Sequence, residues 1–381
     1  VLRLFCEKDG RGMQLRQTTL FSALGLALAG CFTLPAVAVP VSDELDIGGA
    51  VRVNYGWKDY DDDAKLEFEL FRADVKYDNG ELFASAQYRW YQDQDVIQHA
   101  FFGYRFSENS DIRLGVTQVP FGLLPYAAHS FWFGATYYLG FEDDYDAGIH
   151  WQYSKDGWRY DLAWFANDEY GDGSRFKRYS FDVATTENAP YEEAGQFNAR
   201  VERSLKYGEF AHKLGASVQY SRLDYKPMAG AVAGEDTDGL AVAAHWQMDW
   251  HAWQTQVQYL HYDYDMPGER LALSAFAYPF EIAAEADVLT FNLSRSIDVD
   301  WGPITQLNCY NDYSQVFASG TGLDDSVQNV TGCAISAGKF YSYVDWIAGK
   351  NMWFVNGPGI GIAEGDSSWH SRLNINVGFY F

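Results

Sequence analysis

Eight arginines, Arg52, Arg72, Arg89, Arg105, Arg113, Arg159, Arg200 and Arg372, stand on the polar phase of segments in which polar and apolar residues alternate. A guanidinium is always charged and offers a rigid fork of donors, so a set of them on one surface attracts anions and orients dipolar molecules. The segment Val119 to Tyr145 is complementary: it has no Lys or Arg, but carries Glu142, Asp143 and Asp144, with Asp146 just beyond. It also holds Pro120, Phe121, Pro125, Tyr126, Phe131, Trp132 and Phe133. Two arrangements follow. In one, the arginines pair with nearby acids such as Glu67, Glu69, Asp74, Asp161 and Glu202. In the other, a basic wall faces an acidic loop across a narrow wet passage, and the transverse field admits polar solutes while excluding apolar ones. The aromatic side chains either pack the loop or offer a stacking surface for sugars.

Other residue sets point to chemistry less strongly. No spacing singles out a nucleophile, a His and an acid, so no enzyme and no cofactor are expected. The run His261-Tyr262-Asp263-Tyr264-Asp265 has metal-type residues at the end of a strand segment, where an acidic rim is also expected; no metal site is assigned. Acids also cluster at Asp59, Asp61, Asp62 and Asp63, at Asp168, Glu169 and Asp172, and at Glu235, Asp236 and Asp238. On outer loops these would be solvated, or bridged by divalent cations to lipopolysaccharide phosphates. Cys309 and Cys333 fall on consecutive segments with the same parity as neighbouring apolar residues, so a disulfide between them is feasible.

The elements that must position these residues are strands. Leu373, Ile375, Val377, Phe379 and Phe381 alternate with Arg372, Asn374, Asn376, Gly378 and Tyr380. Val51, Val53, Tyr55 and Trp57 alternate with Arg52, Asn54 and Gly56, and Trp253, Thr255, Val257 and Tyr259 with Gln254, Gln256 and Gln258. The period of two gives each strand one apolar and one wet face. A phase slip between Leu70 and Phe71 predicts a β-bulge. Sixteen such segments run from residue 46 to 381, most of them longer than soluble strands and near the roughly ten residues that cross a bilayer at a tilt. Several apolar faces end in an aromatic residue, as at Trp57, Trp90, Trp250, Trp253 and Phe381, which suits interfacial girdles.

Connections after even-numbered segments are short, whereas those at 119–145, 167–194, 224–237, 266–286, 314–328 and 351–370 are long. Short turns at one rim and long loops at the other predict an all-β transmembrane antiparallel barrel of about 16 strands, with its third loop folded inward.

Export fits this fold. Residues 1–12 read as an upstream extension and residues 13–38 as a signal peptide, with Arg16, an apolar stretch from Leu20 to Leu34 and the cleavage signal Ala36-Val37-Ala38. Leu28-Ala29-Gly30-Cys31 also resembles a lipidation motif, but apolar residues follow it rather than a polar tether. Residues 39–381 form the barrel. The chain has 28 basic and 52 acidic residues, a net charge of −24, and 17% aromatic residues. That excludes nucleic acid as a partner and argues against disorder.

Two stretches carry a family resemblance. The closing Arg372-Leu373-Asn374-Ile375-Asn376-Val377-Gly378-Phe379-Tyr380-Phe381 resembles the last strand of outer-membrane porins. Ile112-Arg113-Leu114-Gly115-Val116-Thr117-Gln118-Val119-Pro120-Phe121-Gly122 resembles, more narrowly, the strand leading into the third loop of the porin O and P type. The resemblance implies that Phe379 and Phe381 form the signal read by the barrel-assembly machinery. It also implies an outer-membrane location in contact with lipopolysaccharide, a homotrimer, and a water-filled channel for passive diffusion of small hydrophilic solutes, anions among them. Phosphate-selective members of the family use an arginine ladder and third-loop lysines; this third loop has none, so phosphate selectivity is not expected. An outer-membrane enzyme of lipase or protease type and a secreted β-structured binding protein are the alternatives.

Overall fold

The computed structural model describes residues 39–40, 42–170, 177–231, 233–276, 278–364 and 367–381. The extension 1–12 and the signal segment 13–38, with its Cys31 motif, lie outside the described residues.

Sixteen long strands follow one another: β1 (Leu45–Lys58), β2 (Asp61–Asp78), β3 (Leu82–Tyr91), β4 (Asp95–Ser107), β5 (Ser110–Gln118), β6 (Tyr145–Lys155), β7 (Trp158–Asp168) and β8 (Tyr191–Tyr207). Then come β9 (Phe210–Tyr225), β10 (Thr237–Trp250), β11 (Trp253–Tyr264), β12 (Glu285–Trp301), β13 (Ile304–Ala318), β14 (Ser326–Ala337), β15 (Phe340–Lys350) and β16 (Trp369–Tyr380). Each pairs antiparallel with its sequence neighbours, and β16 pairs with β1, so the sheet closes on itself without an edge. The terminal Phe381 completes the seam through reciprocal backbone hydrogen bonds with Gly49 at 2.8 and 3.0 Å.

The alternation read from the sequence sets the two faces of the wall. On β10, Leu240 and Val242 are exposed while Ala241, Ala243, His245 and Gln247 are buried; on β11, Trp253 and Tyr259 are exposed while Gln254, Gln256 and Gln258 are buried. This is a soluble protein turned inside out, with apolar side chains outward and amides inward. Such an outer surface is stable only against lipid. Trp90, Trp158, Trp164, Trp250, Trp253, Trp301 and Trp369 all stand exposed on it.

The connections after the even-numbered strands are tight. Between β6 and β7, Asp156 and Gly157 both take positive φ, 51° and 79°, as a two-residue turn matched to the twist of a hairpin requires. The bulge expected at Leu70 lies one residue earlier. Arg52 pairs with Leu70 and Val53 with Phe68, leaving Glu69 as the extra residue.

The longest connections build a second layer that the sequence did not announce. Arg270–Ala275 pairs antiparallel with Tyr278–Ala283, and this hairpin takes Asp182–Val183 on one edge and Gly359–Ile360 on the other. The loops after β7, β11 and β15 are thereby joined. Phe181, Leu271, Leu273, Ile282, Phe354 and Ile360 pack there with Tyr137, Tyr138 and Phe141 of the third loop, so much of the apolar core of this barrel lies among its loops.

Candidate functional site

The third loop, between β5 and β6, is bound along its length to the buried polar face of the wall from β8 to β14. Arg200 Nε on β8 donates to Gly122 O at 2.7 Å, and Gly122 N donates to Ser217 Oγ on β9 at 2.9 Å. Leu123 N donates to Gln258 Oε1 on β11, and Asn292 Nδ2 on β12 donates to Ala127 O, both at 2.7 Å. Further on, Ala135 N donates to Ser314 Oγ on β13, and Gln328 Nε2 on β14 donates to Phe133 O at 3.0 Å.

The densest anchor is Asp312. One carboxylate oxygen accepts the backbone N–H groups of His129 (2.7 Å) and Ser130 (2.8 Å), while the other lies 2.7 Å from His129 Nδ1. The second imidazole nitrogen lies 2.8 Å from Gln254 Oε1. Burial lowers the His129 pKa, but the charge and hydrogen bond of Asp312 outweigh it and leave the imidazole above its ordinary value. Charge-assisted hydrogen bonds of this kind contribute about 1.5–3 kcal/mol each.

With the loop held on one wall, a cavity of about 710 Å³ lies between it and the opposite side, formed by β1 to β4, β15 and β16. Arg52, Arg72, Arg89 and Arg372 line it, facing Tyr126, Phe131 and Trp132 of the loop and Tyr179 from the connection after β7. Arg52 sits 2.5 Å from Glu69, and Arg72 2.9 Å from Asp74. Arg89 and Arg372 have no carboxylate partner among the described residues. Arg89 instead donates to Gln87 Oε1 (2.7 Å) and to the hydroxyls of Tyr91 (3.3 Å) and Tyr179 (3.1 Å). Arg372 donates to Phe354 O at 2.8 Å and lies over the Trp132 ring, 4.1 Å from its centroid.

The other four arginines do not line this cavity. Arg105 forms a bidentate pair with Asp78 at 2.7 Å beside the short turn before β3, and Arg113 lies 2.9 Å from Asp111. Arg159 and Arg200 share Asp161, and Arg200 also meets Glu202 at 2.5 Å. Pairing therefore describes six of the eight arginines; Arg372 has no carboxylate partner among the described residues, and Arg89 feels Asp143 only across the Tyr179 hydroxyl they share.

The loop acids are also redistributed. Glu142 accepts from Thr136 Oγ1 at 2.5 Å and from Gln258 Nε2 at 3.2 Å, and burial pushes its carboxyl up to about 7. Asp144 lies in a separate buried acidic group. Only Asp143 reaches the cavity, where the Tyr145 and Tyr179 hydroxyls donate to it. Burial raises its carboxyl, against the pull of Arg89. Pro120 and Phe121 are buried, with Phe121 packed on Phe141 at 5.4 Å between centroids. A transverse field across this passage thus rests on one loop carboxylate rather than three.

Cys309 and Cys333 are directly paired residues of β13 and β14 and are joined by a disulfide. Phe379 and Phe381 stack at 6.1 Å beside the seam. Ser85 Oγ and His99 Nε2 are 2.7 Å apart in the cavity wall, but no carboxylate bonds the other ring nitrogen among the described residues, so no orienting acid completes a triad. Sequence reasoning missed Tyr179 and His129, and missed the loop's anchors Ser217, Gln258, Asn292, Asp312, Ser314 and Gln328. Their signal was present: inward positions from β9 to β14 are largely amides and hydroxyls where those of β1 to β5 are often arginines.

A closed sixteen-stranded antiparallel barrel with an apolar exterior matches the fold of solved outer-membrane porin structures. No family model and no curated relative matches the chain. Among solved structures it is similar to the outer membrane channel DcaP of Acinetobacter baumannii, with a TM-score of 0.59 and 11% identity over 90% of this chain and 99% of that one. It is also similar to OmpT, an outer membrane protein of Vibrio cholerae (0.58, 14% identity, 90% and 100%), and to an anion-selective porin from Comamonas acidovorans (0.53, 14%, 88% and 99%). At these identities the likeness is one of fold.

Proposed function

We propose that the protein is an outer-membrane porin through which small hydrophilic solutes diffuse passively, with a preference for anions. The observation that carries this reading is the cavity between loop and wall. It carries nine charged side chains among aromatic ones, it lies inside a barrel whose exterior suits lipid, and two of its arginines, Arg89 and Arg372, have no carboxylate within ion-pair distance among the described residues. Five basic residues (Arg52, Arg72, Lys76, Arg89, Arg372) and four acidic ones (Glu67, Glu69, Asp74, Asp143) line it, so the local balance is positive although the chain is acidic. The stretch Ile112 to Gly122, which resembles the porin O and P type, supports a relation to that group, but a third loop without lysine argues against phosphate as the solute.

In this reading residues 13–38 direct export, the terminal Phe381 serves assembly in the outer membrane, and the working unit is a trimer. The mechanism needs no cofactor and no covalent step. Selectivity comes from the width left by the loop and from the arginine field, which lowers the energy of an anion in the narrowest part. Reversal potentials in a salt gradient, with phosphate, sugars and dicarboxylates as competitors, test the proposal. It predicts anion-selective current that dicarboxylates reduce; cation-selective current would overturn the preference.

A further inference from the structure

Outside the cavity, the stem of the third loop carries a second constellation. Asp144 precedes β6 and Asp146 lies at its start, while Asp182 comes from the small sheet of the loop layer. All three are buried, with 6%, 0% and 5% of their surface exposed, and one carboxylate oxygen from each lies within 4.8 Å of the others. Asp144 Oδ1, Asp146 Oδ1 and Asp182 Oδ2 have no hydrogen-bond partner among the described residues, and neither do Glu169 Oε2 and Thr117 Oγ1 close by. Thr117 is the direct pairing partner of Asp146 across β5 and β6.

The only cation found against these acids among the described residues is Arg178, which is fully buried. It is committed chiefly to Asp168 at 2.7 Å and reaches Asp182 only at 3.8 Å. Asp146 Oδ2 receives a long 3.4 Å hydrogen bond from Gln196. Buried acids in such numbers are uncommon unless a cation or shared protons compensate them.

We propose that Asp144, Asp146 and Asp182 hold a divalent cation of the calcium type, with Glu169 and Thr117 able to complete the oxygen shell. Calcium accepts the irregular, carboxylate-rich shell that two loops and a strand end provide, whereas magnesium demands a near-octahedral one. The ion would tie the returning stem of the third loop to the connection after β7. Its presence does not depend on whether the barrel conducts.

The test uses the full chain refolded in detergent and stripped with EGTA. Calcium is titrated calorimetrically, and terbium is followed by luminescence sensitised by nearby tyrosines. The expected result is one calcium per chain. Asp146→Asn and Asp182→Asn should each weaken binding at least tenfold, while Asp236→Asn, in the exposed loop before β10, leaves it unchanged. Absence of saturable binding, or binding that survives both buried substitutions, would overturn the proposal. Should those variants not refold, the hydration of terbium on the unmodified chain decides: few remaining waters support the buried carboxylate site, and a hydration near that of the free ion places it on an exposed loop and rejects it.

Discussion

In the proposed channel, selectivity should turn on Arg89 and Arg372, because the other cavity arginines already have a carboxylate beside them. A unit charge about 5 Å from a permeating ion in a water-like dielectric is worth about 0.8 kcal/mol, roughly a fourfold change in occupancy. Arg89→Gln and Arg372→Gln should therefore each lower the anion-to-cation permeability ratio by about that factor, read from reversal potentials. Arg105→Gln, outside the cavity lining, should leave it unchanged; equal effects at all three sites would contradict this assignment. His129 adds a pH dependence. Its folded pKa is raised, so its contribution to holding the loop is complete below about pH 6.5 and is lost as pH rises through the raised value. The difference in thermal stability between the unmodified chain and His129→Gln should shrink from about pH 5.5 to 8.5, and a constant difference would contradict the pairing with Asp312. The eight arginines were legible in the sequence as inward residues, because alternation fixes parity. Which of them stay unpaired was not, since Asp78 meets Arg105 from a turn 27 positions away and Asp161 serves two strands at once.

At the scale of elements, the third loop stays where it is because the wall from β8 to β14 supplies matching donors and acceptors. Removing Asp312 strands two backbone N–H groups and an imidazole, at a cost of about 3 kcal/mol. Asp312→Ala should thus loosen the loop, raising single-channel conductance and current noise while the barrel still resists SDS when unheated. An unchanged conductance would show that the other anchors suffice. The disulfide joins β13 to β14 across a separation of 24 residues, and a closed loop of that length stabilises by up to about 3 kcal/mol in the chain-entropy view. The Cys309→Ser, Cys333→Ser double variant should lower the urea midpoint of unfolding accordingly; an unmoved midpoint would mean that the closed sheet alone constrains these strands. Strand number, the alternation of short and long connections and the inward parity were all readable, because each repeats every two residues or every second strand. The small sheet was not, since its strands are two to six residues long and lie within one apolar loop run or at isolated pairs such as Asp182–Val183 and Gly359–Ile360. The acidic group at Asp144, Asp146 and Asp182 escaped for the same reason: its members assemble only through that layer.

At the scale of the molecule, the net charge of −24 does not describe the passage. Many acids sit in the loops, several of them buried, while the cavity lining carries five basic and four acidic side chains; in the proposed channel a solute would meet opposite signs in sequence. The apolar exterior, the closed seam at Phe381 and the loop that leaves a cavity rather than filling the barrel all bear on one claim, that the molecule is an open, anion-preferring channel. Single-channel recording of the refolded chain in a planar lipid bilayer tests it most directly. The account predicts stable open-channel current whose reversal potential in a salt gradient has the sign of anion preference and moves toward zero in Arg89→Gln. A refolded barrel that inserts but passes no current would contradict it.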